Sequence, residues 1–171
     1  MTEIRWHARA GQGAKTASQL LALALLREGK SVQAFPEYGP ERRGAPLRAY
    51  TRVDDRPIRR HDSVTSPDVV VVLEPSLLGE IDVTEGLAPD GLVLVNAEDA
   101  PELDGHSVLS VPAARLADSK FVNVVMLGAL AAALGDPRLD DLEQAAVRVL
   151  GKKVPPEELR GALEEGYACL N

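Results

Sequence analysis

Three short stretches of the chain carry residue types from which a ligand site could be built. The first reads Ala8-Arg9-Ala10-Gly11-Gln12-Gly13-Ala14. Paired glycines let a backbone turn sharply and bring peptide N–H groups toward a ligand, and a helix starting there adds its positive dipole end. Phosphate or carboxylate is the chemistry such a turn favours. A tight strand-to-helix turn with no ligand has the same spacing, so both readings stand. The second stretch runs from Tyr38 to Pro46 and sets Arg42 beside Arg43 on a segment rich in proline and glycine. Adjacent arginines can fork onto a phosphate or a partner's carboxylate. The alternative is an ordinary Glu41–Arg42 surface pair, worth about 0–1 kcal/mol. The third stretch, Lys120–Leu130, places Asn123 at the start of a strongly apolar helix, where it could cap or bond to a neighbouring loop. Gly128 inside that helix costs about 1 kcal/mol against alanine, which points to close packing.

Two phosphate-binding motifs can be tested against the first turn. A P-loop needs Gly-Lys-Ser/Thr, and here Lys15-Thr16 follows Ala14, so that reading fails. The dinucleotide fingerprint needs a third glycine where Thr16 stands, although Glu37 lies where a ribose-binding acid is expected. No catalytic base presents itself. His7 falls in the first strand, and His61 and His106 fall in loops. No catalytic residue is therefore assigned. Cys169 is the single cysteine and the three histidines lack ligand spacing, so no metal site or iron–sulfur cluster is expected in this chain.

The elements that would position these stretches follow from periodicity. Ile4, Trp6 and Ala8 alternate with polar residues and predict a strand, followed by a helix over Ala14–Glu28 with Gly29 as its terminator. Ser31–Phe35 and Leu47–Val53 read as strands, with Pro36–Pro46 an irregular loop between them. Val69–Leu73, Leu92–Val95 and the weaker Val108–Val111 read as buried strands. Pro75–Glu80 and Pro112–Ala117 are short helical pieces that open with proline. Phe121–Leu134, Leu139–Leu150 and Pro156–Leu170 read as helices. The expected architecture is a single α/β domain over residues 1–171. It has three layers and is Rossmann-like, with a mostly parallel sheet and helices on both faces.

Composition narrows the class of function. An apolar fraction of 45% argues for a packed core, and the 4% aromatic content leaves Leu, Val and Ala to build it. A net charge of −7 disfavours nucleic acid and anionic membrane surfaces as partners. The longest apolar runs, Leu20–Leu26 and Val124–Leu134, fall short of the ~20 residues that span a bilayer. No secretory signal opens the chain, and a cytoplasmic location is expected.

Taken together, the three stretches resemble the gamma subunit of the 2-oxoacid:ferredoxin oxidoreductases, such as pyruvate:ferredoxin oxidoreductase. Gly11-Gln12-Gly13 is similar to that family's glycine turn. Tyr38, Gly39, Pro40, Glu41, Arg43 and Gly44 match its Tyr-Gly-Pro-Glu-x-Arg-Gly pattern. Asn123 with Leu127-Gly128-Ala129, and Glu164 with Gly166, match its later helices. Ala8 and Ala10 stand where the family carries further glycines. The resemblance implies a soluble, non-catalytic subunit of an enzyme that oxidatively decarboxylates 2-oxoacids to acyl-coenzyme A. It implies thiamine diphosphate, Mg and iron–sulfur clusters on the alpha, beta and ferredoxin-like delta partners, with electrons passing on to ferredoxin. It also implies coenzyme A as a ligand, held by Gly11, Gln12, Gly13 and Ala14 with Arg42 and Arg43. Two alternatives stay open: an independent NAD- or flavin-binding oxidoreductase, and an interaction module without a ligand.

Overall fold

Alternation along the first strand, β1 (Thr2–Arg9), sends Ile4, Trp6 and Ala8 to one side of the sheet and Glu3, Arg5 and His7 to the other. The computed structural model describes residues 1–37, 44–103 and 105–170. After β1 come α1 (Ala14–Arg27), β2 (Ser31–Pro36), β3 (Pro46–Asp54), β4 (Val69–Val72), β5 (Leu92–Asn96) and β6 (Ser107–Val111). The chain then turns helical with α2 (Ala113–Leu116), α3 (Val122–Leu134), α4 (Leu139–Leu150) and α5 (Pro156–Ala168).

The six strands form one mixed sheet in the order β2-β3-β1-β4-β5-β6. Strands β1, β4, β5 and β6 pair in parallel, whereas β3 lies antiparallel to both β1 and β2. The reason is local. The residues joining β2 to β3 are too few for the helical crossover that a parallel pair requires, so the chain folds back on itself. It leaves β1 through α1 toward one edge and reappears at β4 on the other side, which makes the C-terminal end of β1 the point where connections diverge.

Helices on both faces were the expectation, and only one face has them. Residues from all five α-helices join Ile4, Trp6, Ala8, Val69, Val71 and Leu94 in one apolar cluster. On the opposite face Val70, Val72, Val93 and Val95 pack against Ile81, Val83 and Leu87. Among the described residues that side carries a 3-10 turn at Pro75–Gly79 and irregular chain, and no α-helix. The connections after β4 and β5 contain Pro75, Gly86, Pro89, Gly91 and Pro101, too many breaks for a regular helix.

The same face beneath β1 and β3 is polar and buried. Arg52 is fully buried, donates from Nε to Glu3 Oε1 at 2.6 Å and lies 5.5 Å from the Phe35 ring centroid. Arg5 donates to the carbonyls of Val83 and Glu85, at 2.9 and 2.7 Å, which pins the covering segment to the sheet. Its Nε donates to His7 Nε2 at 3.0 Å. Burial, with Arg5 and Arg48 nearby, pushes the His7 imidazole down to about 3. His7 is therefore neutral at physiological pH and serves as an acceptor in the interior.

Candidate functional site

The turn that follows β1 is shaped by two left-handed glycines. Gly11 has φ 99° and Gly13 has φ 83°, and Ala10 escapes strain because no non-glycine residue among those described has a positive φ. Gly13 is also required by contact. A Cβ there would lie 2.5 Å from Asn123 Nδ2, the atom that donates to the Gly13 carbonyl at 3.3 Å. Asn123 therefore bonds to a neighbouring loop, the second of the two roles its position allowed.

Among the described residues, the first amides of helix α1 find no acceptor. Ala17 N makes the first intrahelical bond, to Gly13 O, at 2.9 Å. The N–H groups of Ala14, Lys15 and Thr16 lie ahead of that bond and have no acceptor within the helix. No side chain caps this end, and its first turn holds no acidic residue. Helix α3 begins nearby in the same condition, uncapped by any side chain and without an acid in its first turn. Between the two ends lies a cleft of about 240 Å³, lined by Gly11, Gln12, Gly13, Thr16, Ser119 and Lys120, with Phe121, Leu150 and Val154 as its apolar wall. Lys120 Nζ sits 4.6 Å from the Phe121 ring centroid and 3.4 Å from Glu158 Oε2.

Gln12 lines this opening, and its carboxamide is tied at both ends. Its Oε1 accepts from Arg9 N at 2.7 Å, and its Nε2 donates to Glu74 Oε2 at 2.6 Å. Glu74 also accepts from Ser76 N at 3.1 Å. Arg9 extends the same polar cluster, donating to Ser76 Oγ at 2.8 Å, to Glu80, and to the Gly44 carbonyl at 3.2 Å. With Ala10 N bonded to Ala45 O at 3.0 Å, the glycine turn is tied to the chain entering β3.

Of the residues expected from sequence to bind a ligand, Gly11, Gln12, Gly13 and Ala14 lie together here, the Ala14 side chain buried and its amide at the helix start. Arg42 and Arg43 lie outside the described residues. Ser119 was not anticipated as lining; Lys120 and Phe121 open the third stretch, whose apolar run drew attention to packing instead. Glu37, the candidate ribose acid, accepts the Tyr50 hydroxyl, and burial, seconded by this bond, pushes that phenol up to about 12. Among the described residues no cluster of His, Cys, Asp or Glu could hold a metal ion. None of the described helices is long and apolar enough to cross a membrane.

The family described as pyruvate ferredoxin/flavodoxin oxidoreductase matches residues 3–169. The chain belongs to that family. It aligns with gamma subunits along nearly all of its length. It is 46% identical over 156 residues to the common gamma subunit of pyruvate/ketoisovalerate oxidoreductases of Thermococcus kodakarensis, covering 85% of this chain and 84% of that one. It is 45% identical to the pyruvate synthase subunit PorC of Thermotoga maritima, covering 96% and 92%. The crystal structure of the Thermotoga maritima pyruvate oxidoreductase subunit PORC superposes with a TM-score of 0.80 at 38% identity, covering 98% of this gamma subunit and 95% of that chain. The fold also recurs in a 2-oxoglutarate:ferredoxin oxidoreductase of Magnetococcus marinus, solved with 2-oxoglutarate, coenzyme A and succinyl-CoA bound. There the TM-score is 0.77 at 20% identity, and the gamma subunit matches 31% of a much longer chain.

Proposed function

We propose that this gamma subunit helps to hold coenzyme A for a pyruvate:ferredoxin oxidoreductase, and that it takes no part in the redox chemistry. The diphosphate would lie against the turn Gly11, Gln12, Gly13 and Ala14, at the amides of Gly11, Gly13 and Ala14 because Gln12 N already donates to Arg9 O at 3.1 Å, with Arg42 and Arg43 forking onto phosphate oxygens. The observation that carries this reading is the first turn of α1. Its amides have no intrahelical acceptor, its end is uncapped and no acid sits in it, at the strand end where the chain connections diverge.

The remaining chemistry belongs to partners. Thiamine diphosphate with Mg would activate the 2-oxoacid on the alpha and beta subunits. Iron–sulfur clusters, including those of a ferredoxin-like delta subunit, would carry the electrons to ferredoxin. This chain offers Cys169 as its single cysteine, which is too few to hold a cluster. The test is steady-state kinetics of the assembled oxidoreductase with coenzyme A as the varied substrate. An Arg42→Ala, Arg43→Ala variant should raise KM for coenzyme A by about tenfold or more. An unchanged KM overturns the reading.

A further inference from the structure

An acidic side chain stands beside a turn built for an anion. Glu74 follows β4 and its carboxylate is shared between Gln12 Nε2 at 2.6 Å and Ser76 N at 3.1 Å. By charge alone it is misplaced, since a carboxylate this close to a bound phosphate repels it. Its hydrogen bonds supply the reason for its presence. Gln12 is the longest polar side chain in the turn. With Oε1 on Arg9 N and Nε2 on Glu74, both ends of its carboxamide are engaged. Without Glu74, only the bond from Arg9 N would hold that carboxamide, and exchanging Arg9 N for the amides at the start of α1 would put its oxygen in the place of a ligand oxygen.

We infer that Glu74 is a positioning residue for coenzyme A: it holds Gln12 back, and so keeps the first amides of α1 open to phosphate. This rests on the reading of the glycine turn as a coenzyme A site. Glu74 itself touches no ligand. The same carboxylate caps the start of the 3-10 turn, and Ser76 in that turn and Glu80 just past its end receive Arg9. The segment after β4 thereby sets the shape of the turn after β1.

Charge and position predict opposite signs, which makes the test decisive. The isosteric Glu74→Gln keeps the side-chain shape, removes the charge and leaves one acceptor where two are used. Pure electrostatics predicts a lower KM for coenzyme A in the assembled oxidoreductase. Positioning predicts a KM raised roughly fivefold, with kcat at saturating coenzyme A little changed. Adding Gln12→Glu to Glu74→Gln exchanges donor and acceptor, so every bond can form again and KM should return most of the way. A KM in Glu74→Gln at or below the wild-type value overturns the inference, and a double variant no better than the single one counts against it. The Arg42→Ala, Arg43→Ala enzyme separates the two levels. If its KM for coenzyme A is unchanged, the coenzyme A reading fails; if only Glu74→Gln is silent, Glu74 alone is dismissed.

Discussion

Gly13 and Asn123, 110 positions apart in the chain, meet at a distance that admits no side chain on the glycine. Their contact joins the start of α1 to the start of α3, and both residues line the cleft between them. Gly13→Ala meets two obstacles, a φ of 83° and a Cβ 2.5 Å from Asn123 Nδ2. The expected cost is about 1–3 kcal/mol by urea denaturation. Asn123→Ala should relieve the clash but not the backbone strain. The double variant should then be more stable than the sum of the two single changes implies, and simple additivity would refute the contact.

The α3–α5 contact makes a contrast of signs. A Cβ on Gly128 would fall 2.1 Å from the Leu163 carbonyl, and one on Gly166 would fall 1.8 Å from the Val125 carbonyl. Each change to alanine should destabilise the protein by about 1–3 kcal/mol. Gly161 lies on the same α5 helix with nothing within 4 Å of an added Cβ. Gly161→Ala should stabilise by up to about 1 kcal/mol. Thermal melts of the three variants check both directions.

The buried pair under β3 should behave asymmetrically. Arg52→Met leaves Glu3 in the interior without its 2.6 Å partner, and a loss of about 3 kcal/mol or more is expected. Replacing both, Glu3→Leu with Arg52→Met, should recover most of that loss. Chemical denaturation of the single and double variants measures it.

Stability should also depend on pH through Asp136. Its hydrogen bond to Glu28, burial and the Glu28 charge push the Asp136 carboxyl up from 3.8 to about 6, while the same bond holds Glu28 down. A carboxyl raised on folding binds its proton more tightly in the native state, so its contribution falls as pH rises from about 4 through 6. Glu28 works in the opposite direction, but its window closes near its own ordinary value of 4.5. Asp136→Asn keeps a donor toward Glu28 at every pH. It should melt at a higher temperature than wild type at pH 7.5, and lack the wild-type decline between pH 5 and 6.5. Parallel curves for the two proteins would refute this assignment.

Much of the strand and helix layout was legible in the sequence. The runs Val69–Leu73 and Leu92–Val95 could only be interior strands, and Gly128 announced a close helix contact that proves to be with Leu163. What failed was the far side of the sheet. Helices were expected there from the alternation of strands and helices, while Pro75, Gly86 and Pro89 had already made the connection after β4 too irregular to wind. The orientation of β3 was legible in principle, since Pro36–Pro46 leaves no room for a crossover. At the site, the glycine turn showed itself through residue type and spacing. Glu74 did not, because its significance lies in the Gln12 side chain, 62 positions away, that only folding brings to it.

Helix α3 is buried from Asn123 to Ala131 without interruption, and α5 lies directly against it at Gly128. During synthesis, α3 leaves the ribosome before the segment that covers it. Until α5 follows, the side of this greasy helix that carries the glycine notch is uncovered, and the nascent chain passes through a stage that invites aggregation or chaperone capture. A truncation that removes α5 would hold the protein at that stage, far from the glycine turn yet fatal to it.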